Sequence, residues 1–264
     1  LIFMQASERI NYIKKWILDY CKSMPKEAKT LVVGISGGID SSVTSTICAL
    51  TGKKTIVLSM PINQIKKQQD LSLKHQNWLK NKFKNVDAHT IELDNLFNNF
   101  ESALTNFSSE HGMANSRARL RMAALYQVAA ANKGIVVGTG NKIEDFGIGF
   151  YTKYGDGGVD ISPIANLVKS EVFELGQTLN VPKSILDAPP TDGLWGDERN
   201  DEDQIGATYR ELELAMKQSH DFENGIGSPD DLEGREAEVF AIYTKLNKAN
   251  QHKMLPIPIC IIPR

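Results

Sequence analysis

Residues 31 to 42 read Leu-Val-Val-Gly-Ile-Ser-Gly-Gly-Ile-Asp-Ser-Ser, and this stretch decides the fold. The apolar run from Leu31 to Val33 predicts a strand buried on both faces, as in a parallel sheet. A glycine-rich turn from Gly34 to Gly38 follows, and the short oxygen side chains at 40 to 42 predict a capped helix start. Backbone N–H groups and the helix dipole attract anions at such a junction. We therefore predict a phosphate site here, in preference to an ordinary capped strand-to-helix turn.

Asp40 distinguishes this turn from the common phosphate loops. The chain contains no GxxxxGKS/T sequence, and no GxGxxG sequence follows a predicted strand. Where the common loop has a lysine, this turn has a carboxylate, which would repel phosphates unless it held a cation. Asp40 therefore predicts Mg²⁺ at the site, since this ion prefers oxygen ligands.

Composition limits the class of protein. The chain has 264 residues, with 30 Lys plus Arg against 32 Asp plus Glu, for a net charge of −2. This balance argues against a general nucleic-acid binder, and no apolar run approaches the ~20 residues that span a bilayer. Cys21, Cys48 and Cys260 show neither paired nor metal-ligand spacing. We expect a cytoplasmic protein with no nucleic-acid and no membrane partner.

Hydrophobic periodicity predicts one α/β domain over residues 1–264, with a mostly parallel sheet flanked by helices. Further strands are predicted over residues 55–58, 87–93 and 134–138. Helices are predicted over residues 5–22, near 96–104, over 116–132, within 161–179, and near 205–218 and 231–249. The predicted buried stripes include Tyr20 in the first helix and Leu96 in the helix near 96–104.

Polar residues also follow the predicted strand 134–138. Open α/β sheets bind ligands outside the carboxyl ends of their strands. If this strand neighbours the strand at 31–33, Thr139 and Glu144 would stand beside the glycine turn. Glu144 would then supply a second carboxylate for Mg²⁺.

Three other segments carry unusual residue patterns. Arginines 117, 119 and 121 lie close together, which fits an anionic ligand and an exposed basic turn equally well. The glycines and aromatics of 150–160 predict a shaped functional loop. The proline-rich and acidic stretch from Ala188 to Asp203 predicts a mobile surface lid.

The glycine turn resembles a known loop. Residues 36–41, Ser-Gly-Gly-Ile-Asp-Ser, resemble the SGGxDS pyrophosphate loop of the N-type ATP pyrophosphatases. These enzymes cleave ATP between the α and β phosphates to adenylate an acceptor. A transfer-RNA-modifying ligase shares this loop but normally brings a basic surface or functional cysteines. A non-catalytic nucleotide-binding module could share the α/β fold, yet would not need two carboxylates placed for a metal.

Further segments resemble the NAD synthetases in the same order along the chain. Residues 152–158, Thr-Lys-Tyr-Gly-Asp-Gly-Gly, resemble a signature of that family. Residues 116–122 resemble its Ala-Arg-x-Arg-Met segment, and His252-Lys253 its late His-Lys pair. The resemblance implies a Rossmann-like ligase that converts nicotinic acid adenine dinucleotide (deamido-NAD), ATP and ammonia to NAD, AMP and pyrophosphate. It also implies a homodimer.

The same resemblance implies roles for individual residues. Catalytic roles fall on Asp40, Glu144 and Lys169, the first two as Mg²⁺ ligands. ATP contacts fall on Gly34, Ile35, Ser36, Gly37, Gly38, Ile39, Asp40, Ser41, Thr139, Lys169 and Thr191. Deamido-NAD contacts fall on Arg119, Lys153, Asp160, His252 and Lys253. The run from Glu144 to Thr152 is slightly longer than usual in the family, which leaves Asp145 as an alternative metal ligand.

The expected nitrogen donor is free ammonia. The chain reaches its phosphate loop by residue 34, so we expect no glutaminase domain. None of the three cysteines lies in the electropositive, accessible setting that a reactive thiol needs.

Overall fold

The computed structural model describes residues 4–64, 66–191 and 200–263, and centres on a four-stranded parallel sheet of order β3-β2-β1-β4. The strands are β1 (Thr30–Gly34), β2 (Lys54–Ser59), β3 (Val86–Thr90) and β4 (Gly134–Val137). In the register, Thr30 aligns with Lys54 of β2 on one side and with Gly134 of β4 on the other. The predicted fold class is therefore confirmed.

Helices pack on both faces of this sheet. They are α1 (Ala6–Ser23), α2 (Ile39–Leu50), α3 (Lys66–Lys82), α4 (Asp94–Ala103), α5 (Glu110–Ala131), α6 (Lys169–Thr178), α7 (Lys183–Leu186), α8 (Asp201–Ile205), α9 (Tyr209–Glu223) and α10 (Gly234–Met254). In β1, Leu31 and Val33 pack into a core with α1, α2 and α6, whereas Val32 packs into a second core with α4 and α5. The predicted strand is thus buried on both faces. No helix in the described ranges is both long and apolar enough to cross a membrane.

Several predicted boundaries are wrong. Helix α5 begins at Glu110 rather than at Ser116, because the Ser109 hydroxyl accepts a hydrogen bond from Gly112 N at 3.1 Å and caps an earlier start. Strand β3 ends at Thr90 instead of reaching Leu93. Beyond Thr90 the chain follows the segment after β2, where Leu93 N donates to Pro61 O.

Two predicted core residues are also wrong. Tyr20 is 36% exposed and Leu96 is 51% exposed, whereas the next residue of each helix, Cys21 or Phe97, is buried. The predicted stripe residues Ile10, Ile13, Ile17 and Phe97 are buried, so the errors are confined to Tyr20 and Leu96. One position along a helix turns a side chain by about 100° around the helix axis, which is enough to expose it.

The stretch from Ala188 to Asp203, predicted as a mobile surface lid, runs into a helix at its carboxyl end. Its residues 192–199 lie outside the described residues, and residues 201–205 form α8 with Asp201 buried. The Asn200 side chain accepts from Asp203 N at 2.8 Å, which caps α8. Gly206 then ends α8 in a left-handed conformation, so α9 begins at Tyr209 instead of near 205.

A π-helical turn follows β4 and is held by α10. The turn covers Ile143–Ile148. Three α10 side chains donate to backbone carbonyls in and after this turn, and we call them the α10 donors: Asn247, Asn250 and Lys253. Their acceptors, at 2.6 to 2.8 Å, are the carbonyl oxygens of Gly147, Ile148, Gly149 and Tyr151. Helix α10 therefore satisfies carbonyls that the end of the turn leaves unpaired.

The approach of α10 to this turn requires a glycine. Gly149 has φ +65°, and a Cβ atom there would lie 2.4 Å from Asn250 Cβ. Any side chain at position 149 would therefore separate α10 from the turn.

Helix α3 is anchored to the glycine turn and to α2. Ser72 Oγ donates to Ile35 O at 3.0 Å, and His75 Nε2 lies 2.9 Å from Ser45 Oγ. The His75 ring is fully buried and stacks on Trp78. Burial lowers the pKa of His75 to about 3, so the imidazole is neutral in the folded protein.

We predict that His75 makes the protein less stable below neutral pH. Unfolded histidine takes up a proton below about pH 6.5, whereas folded His75 does so only near pH 3. Between pH 7 and pH 5 the unfolded state alone gains this proton, so stability falls as pH falls. The loss should be about 2 kcal/mol larger in the wild type than in His75→Gln, measured by urea unfolding.

His89→Gln is the control, because His89 is exposed. It should show the same pH dependence as the wild type. Parallel pH profiles for the wild type and His75→Gln would contradict a neutral buried imidazole.

We also predict that the α10 donors stabilise the fold individually. Asn250→Ala should lower the free energy of unfolding by about 1 kcal/mol, because Ile148 O loses its donor at a half-buried position. Gln251→Ala removes a similar amide from the exposed face of the same helix and should change stability by less than about 0.5 kcal/mol. Equal effects of the two substitutions in urea unfolding would count against this role.

Candidate active site

The glycine turn after β1 forms a loop whose conformation is set by its own hydroxyls. Gly37 has φ +91°, which favours glycine at this position. Ser36 Oγ accepts from Gly38 N at 3.2 Å and lies 3.1 Å from Ser41 Oγ. These bonds fold the loop over the start of α2.

The predicted capping of α2 by residues 40 to 42 is wrong. Gly38 is the N-cap residue and no side chain caps the helix. The hydroxyls of Ser41 and Ser42 instead donate back to Gly38 O, at 3.1 and 2.9 Å. The first N–H groups of α2 therefore have no side-chain acceptor, which is the arrangement that suits a bound phosphate.

Strand β4 brings a second segment to the same edge. Since β1 and β4 are neighbours, the chain after Val137 emerges beside the glycine turn. Asn141 is fully buried there, and its Nδ2 donates to Asp40 Oδ1 at 3.2 Å. Its Oδ1 accepts from the N–H groups of Ile143 and Glu144. Asn141 thus joins Asp40, at the start of α2 after the glycine turn, to the π-helical turn, and nothing in its sequence context predicted this.

Lys169, the first residue of α6, is the centre of the site. Its Nζ lies 2.6 Å from Asp40 Oδ2 and 3.1 Å from Glu144 Oε1, and the residue is only 4% exposed. Burial lowers the pKa of Lys169, but the combined attraction of Asp40 and Glu144 is the stronger effect. The pKa of the Lys169 ammonium is therefore raised above its ordinary value. The lysine is therefore a permanent buried cation.

Tyr209 completes this cluster and was not predicted from the sequence. Its hydroxyl donates to Glu144 Oε1 at 2.6 Å and lies 3.3 Å from Asp201 Oδ2. The Lys169 Nζ stands 4.4 Å from the centre of the Tyr209 ring. Burial and the neighbouring carboxylates raise the pKa of Tyr209, which keeps the phenol protonated and able to donate. A lone tyrosine at a helix start gave no signal of this role.

The two carboxylates suit a hard cation. Asp40 and Glu144 reach the same point beside the phosphate loop, which matches the oxygen ligands that Mg²⁺ takes. Within the part of the chain that the structure describes, no group of three or more His, Cys, Asp or Glu side chains is placed to hold a metal. The remaining ligands of such an ion would be phosphate oxygens and water.

The π-helical turn separates Glu144 from Asp145. The π-helical turn covers both residues, and its wider backbone directs their side chains to different neighbours. Glu144 reaches Lys169, while Asp145 lies over Gly140, where a Cβ atom would be 2.2 Å from Asp145 Oδ1. Burial, then Glu144 and two further carboxylates, raise the pKa of Asp145 to about 8.

One large cleft unites most of the predicted ATP residues. All of them except Gly37 line it. The predicted acceptor residues Arg119, Lys153, Asp160 and His252 do not line this cleft, and Lys253 lines a small adjoining cavity. Tyr151 and Asp156 of the predicted loop 150–160 line the cleft, as do four residues that the sequence did not single out: Met60, Gln64, Leu125 and Phe173.

The residues predicted to contact deamido-NAD form hydrogen bonds within the protein that hold the loop 150–160 in place. Lys153 Nζ donates to His252 O at 2.6 Å, and Arg119 Nε donates to Lys153 O at 3.3 Å. Asp160 accepts from Val136 N at 2.7 Å. These bonds fix the loop against α5, α10 and β4.

The neighbouring arginines of α5 also interact within the chain. Arg121 Nε donates to Met60 O at 2.9 Å, and the Arg117 guanidinium lies 4.5 Å from the Phe97 ring centre. Arg121 lines the cleft as well. Arg117 and Arg121 therefore do not form the exposed basic turn that was one of the two interpretations of this arginine-rich segment.

Known proteins resemble this chain over almost its whole length. The NAD synthase family model matches residues 9–256. A protein named NH(3)-dependent NAD(+) synthetase from Mesoplasma florum is 37% identical over 218 residues, covering 81% of this chain and 85% of its own. One of the same name from Staphylothermus marinus is 32% identical and covers 95% of this chain and 91% of its own.

Solved structures agree with these sequence matches. The NMN synthetase from Francisella tularensis superposes with a TM-score of 0.82 at 33% identity, covering 99% of both chains. The NH3-dependent NAD synthetase from Campylobacter jejuni has a TM-score of 0.78 at 24% identity, covering 98% of this chain and 100% of its own, and supports the fold alone. Because the family model covers residues 9–256 and these relatives match most of the sequence, the chain belongs to the NAD synthase family.

Proposed function

We propose that this member of the NAD synthase family amidates deamido-NAD with ammonia at the expense of ATP, giving NAD, AMP and pyrophosphate. The observation that carries the proposal is the meeting of Asp40, Glu144 and Lys169 beside the phosphate loop. Such a cluster of charges serves phosphate chemistry, because it can balance a polyphosphate and a metal ion at once.

The first step activates the acceptor. A carboxylate resists attack by ammonia, so its oxygen attacks the α-phosphorus of ATP, and the bond from that phosphorus to the β-phosphate oxygen breaks. The N–H groups at the start of α2 and the Lys169 ammonium stabilise the charge that develops on pyrophosphate. The product is an acyl adenylate, whose AMP is a good leaving group.

Mg²⁺ is the proposed metal, with Asp40 and Glu144 as its protein ligands. When bound, this ion supplies charge neutralisation and alignment of the phosphate oxygens. Asn141 and Tyr209 hold the two carboxylates in position through the bonds described above.

The second step forms the amide. The lone pair of ammonia attacks the acyl carbon, the bond to the AMP oxygen breaks, and the nitrogen loses one proton to solvent. Burial raises the pKa of the Cys21 and Cys48 thiols, so neither is activated as a nucleophile for releasing ammonia from glutamine. This supports free ammonia as the donor.

The acceptor residues and the assembly extend this proposal. We propose that Arg119, Lys153, Asp160, His252 and Lys253 serve deamido-NAD, in agreement with their position around the loop 150–160. We further propose a cytoplasmic homodimer. Exposed apolar side chains near the carboxyl end support an interface: Leu255, Ile257, Ile259, Ile261 and Ile262.

We predict that Glu144 and Asp145 differ in function although they are adjacent. Glu144→Gln should lower pyrophosphate release on the order of a hundredfold at ordinary Mg²⁺, because it removes the carboxylate beside Lys169. Asp145→Asn should lower it less than about tenfold, since Asp145 lies over Gly140. The assay measures pyrophosphate with ATP, deamido-NAD and ammonium present.

Asp187→Asn, an exposed acidic residue outside the cleft, is the control and should remain at the wild-type rate. A larger loss with Asp145→Asn than with Glu144→Gln would transfer the metal role to Asp145.

Nicotinic acid mononucleotide is a second candidate acceptor. The observation that favours it is the 33% identity and full coverage of the protein named NMN synthetase. The chemistry would be unchanged, because the reacting carboxylate is the same and only the AMP half of the acceptor is missing.

We predict that deamido-NAD is preferred by at least about tenfold in kcat/KM, because contacts to the AMP half add binding energy. The measurement is steady-state amide formation with each acceptor at saturating ATP and ammonium. A preference for the mononucleotide would assign the chain to NMN synthesis and leave the adenylation step intact.

A further inference from the structure

The Lys169 ammonium lies between Asp40 and Glu144, the two residues that would hold the metal. It lies within hydrogen-bond distance of one oxygen of each carboxylate, at 2.6 and 3.1 Å. The centre of the Tyr209 ring lies 4.4 Å from this ammonium, and Lys169 is only 4% exposed. The two carboxylates are therefore already neutralised in part before any metal or nucleotide arrives.

A metal ion and this ammonium compete for the negative charge of the same two carboxylates. Asp40, Glu144 and Lys169 together carry a net charge of −1, whereas the two carboxylates alone would carry −2. A divalent cation is attracted much more weakly by the first arrangement than by the second, because the interior screens charge poorly. The lysine therefore opposes metal binding as long as it stays in this position.

ATP offers the ammonium another partner. Lys169 lines the same cleft as Ser36, Gly38 and Ser41 of the phosphate loop. Its four-carbon stem is flexible, and an ammonium forms strong charge-assisted hydrogen bonds to phosphate oxygens. A short movement of the Lys169 ammonium would break its contacts with Asp40 and Glu144 and form new ones with the phosphate oxygens of ATP.

We propose that Lys169 is an internal competitor of the metal: it holds Asp40 and Glu144 in the free protein and moves to the polyphosphate when ATP binds. Metal and ATP then bind cooperatively, since each favours the position of the lysine that the other needs. By linkage, metal must tighten ATP by the same factor by which ATP tightens metal. This inference rests on the proposed function, because it takes Asp40 and Glu144 as the metal ligands.

The test measures metal binding without turnover. Mn²⁺ is titrated into the full chain, and the concentration of free Mn²⁺ is measured by electron paramagnetic resonance. The titration is repeated with an ATP analogue that cannot be cleaved, because a methylene group joins its α and β phosphorus atoms. Without nucleotide, Lys169→Met should bind Mn²⁺ at least about tenfold more tightly than the wild type. The analogue should tighten Mn²⁺ in the wild type by at least about tenfold more than in Lys169→Met.

Lys183→Met is the control, since Lys183 is an exposed lysine outside the cleft, and it should match the wild type. Circular dichroism checks each fold, and Lys169→Gln, also neutral but able to donate a hydrogen bond, replaces the methionine variant if that one does not fold. Unchanged or weaker Mn²⁺ binding by the folded neutral variant overturns the proposal. The amidation assay of the wild type is independent of this result, so failure of the competition and failure of the proposed function are distinguishable.

Discussion

The buried contact of one ammonium with two carboxylates organises this protein. Lys169 joins residues that are 129 and 25 positions away in the chain, and each belongs to a different element. Removing one partner of such a buried ion pair typically costs about 3–5 kcal/mol, because the remaining charge is left uncompensated. The cluster therefore holds α2, the π-helical turn and α6 together, and its charge is also what phosphate chemistry requires.

Sheet topology explains why these elements meet. In the order β3-β2-β1-β4 the chain runs from β1 outward to β3 and then returns to the other side of β1. The loops after β1 and β4 therefore diverge to opposite faces and leave a crevice between them, as expected at a switch point of a parallel sheet. The glycine turn after β1 lines this crevice, together with residues 138–140 and Glu144 after β4. The site is thus a consequence of strand order.

The sequence by itself determined the parts of this protein that depend on local spacing. The apolar run before Gly34 predicted a buried strand, and the glycines after it predicted a phosphate loop, because few other turns need that backbone freedom. Asp40 predicted a cation, since a carboxylate among phosphates needs one. The order of motifs along the chain indicated the family, which the matches over residues 9–256 confirm.

Only the tertiary structure decided which side chains meet. The π-helical turn directs Glu144 to Lys169 and Asp145 to Gly140, and no sequence pattern predicted that turn. Tyr209 belongs to the cluster solely because α9 packs beside α6 and the turn. A sequence pattern records the period of one element, about 3.6 residues for a helix. It does not record the distance or rotation between one element and another. Those distances and rotations place the Lys169 ammonium between the carboxylates of Asp40 and Glu144.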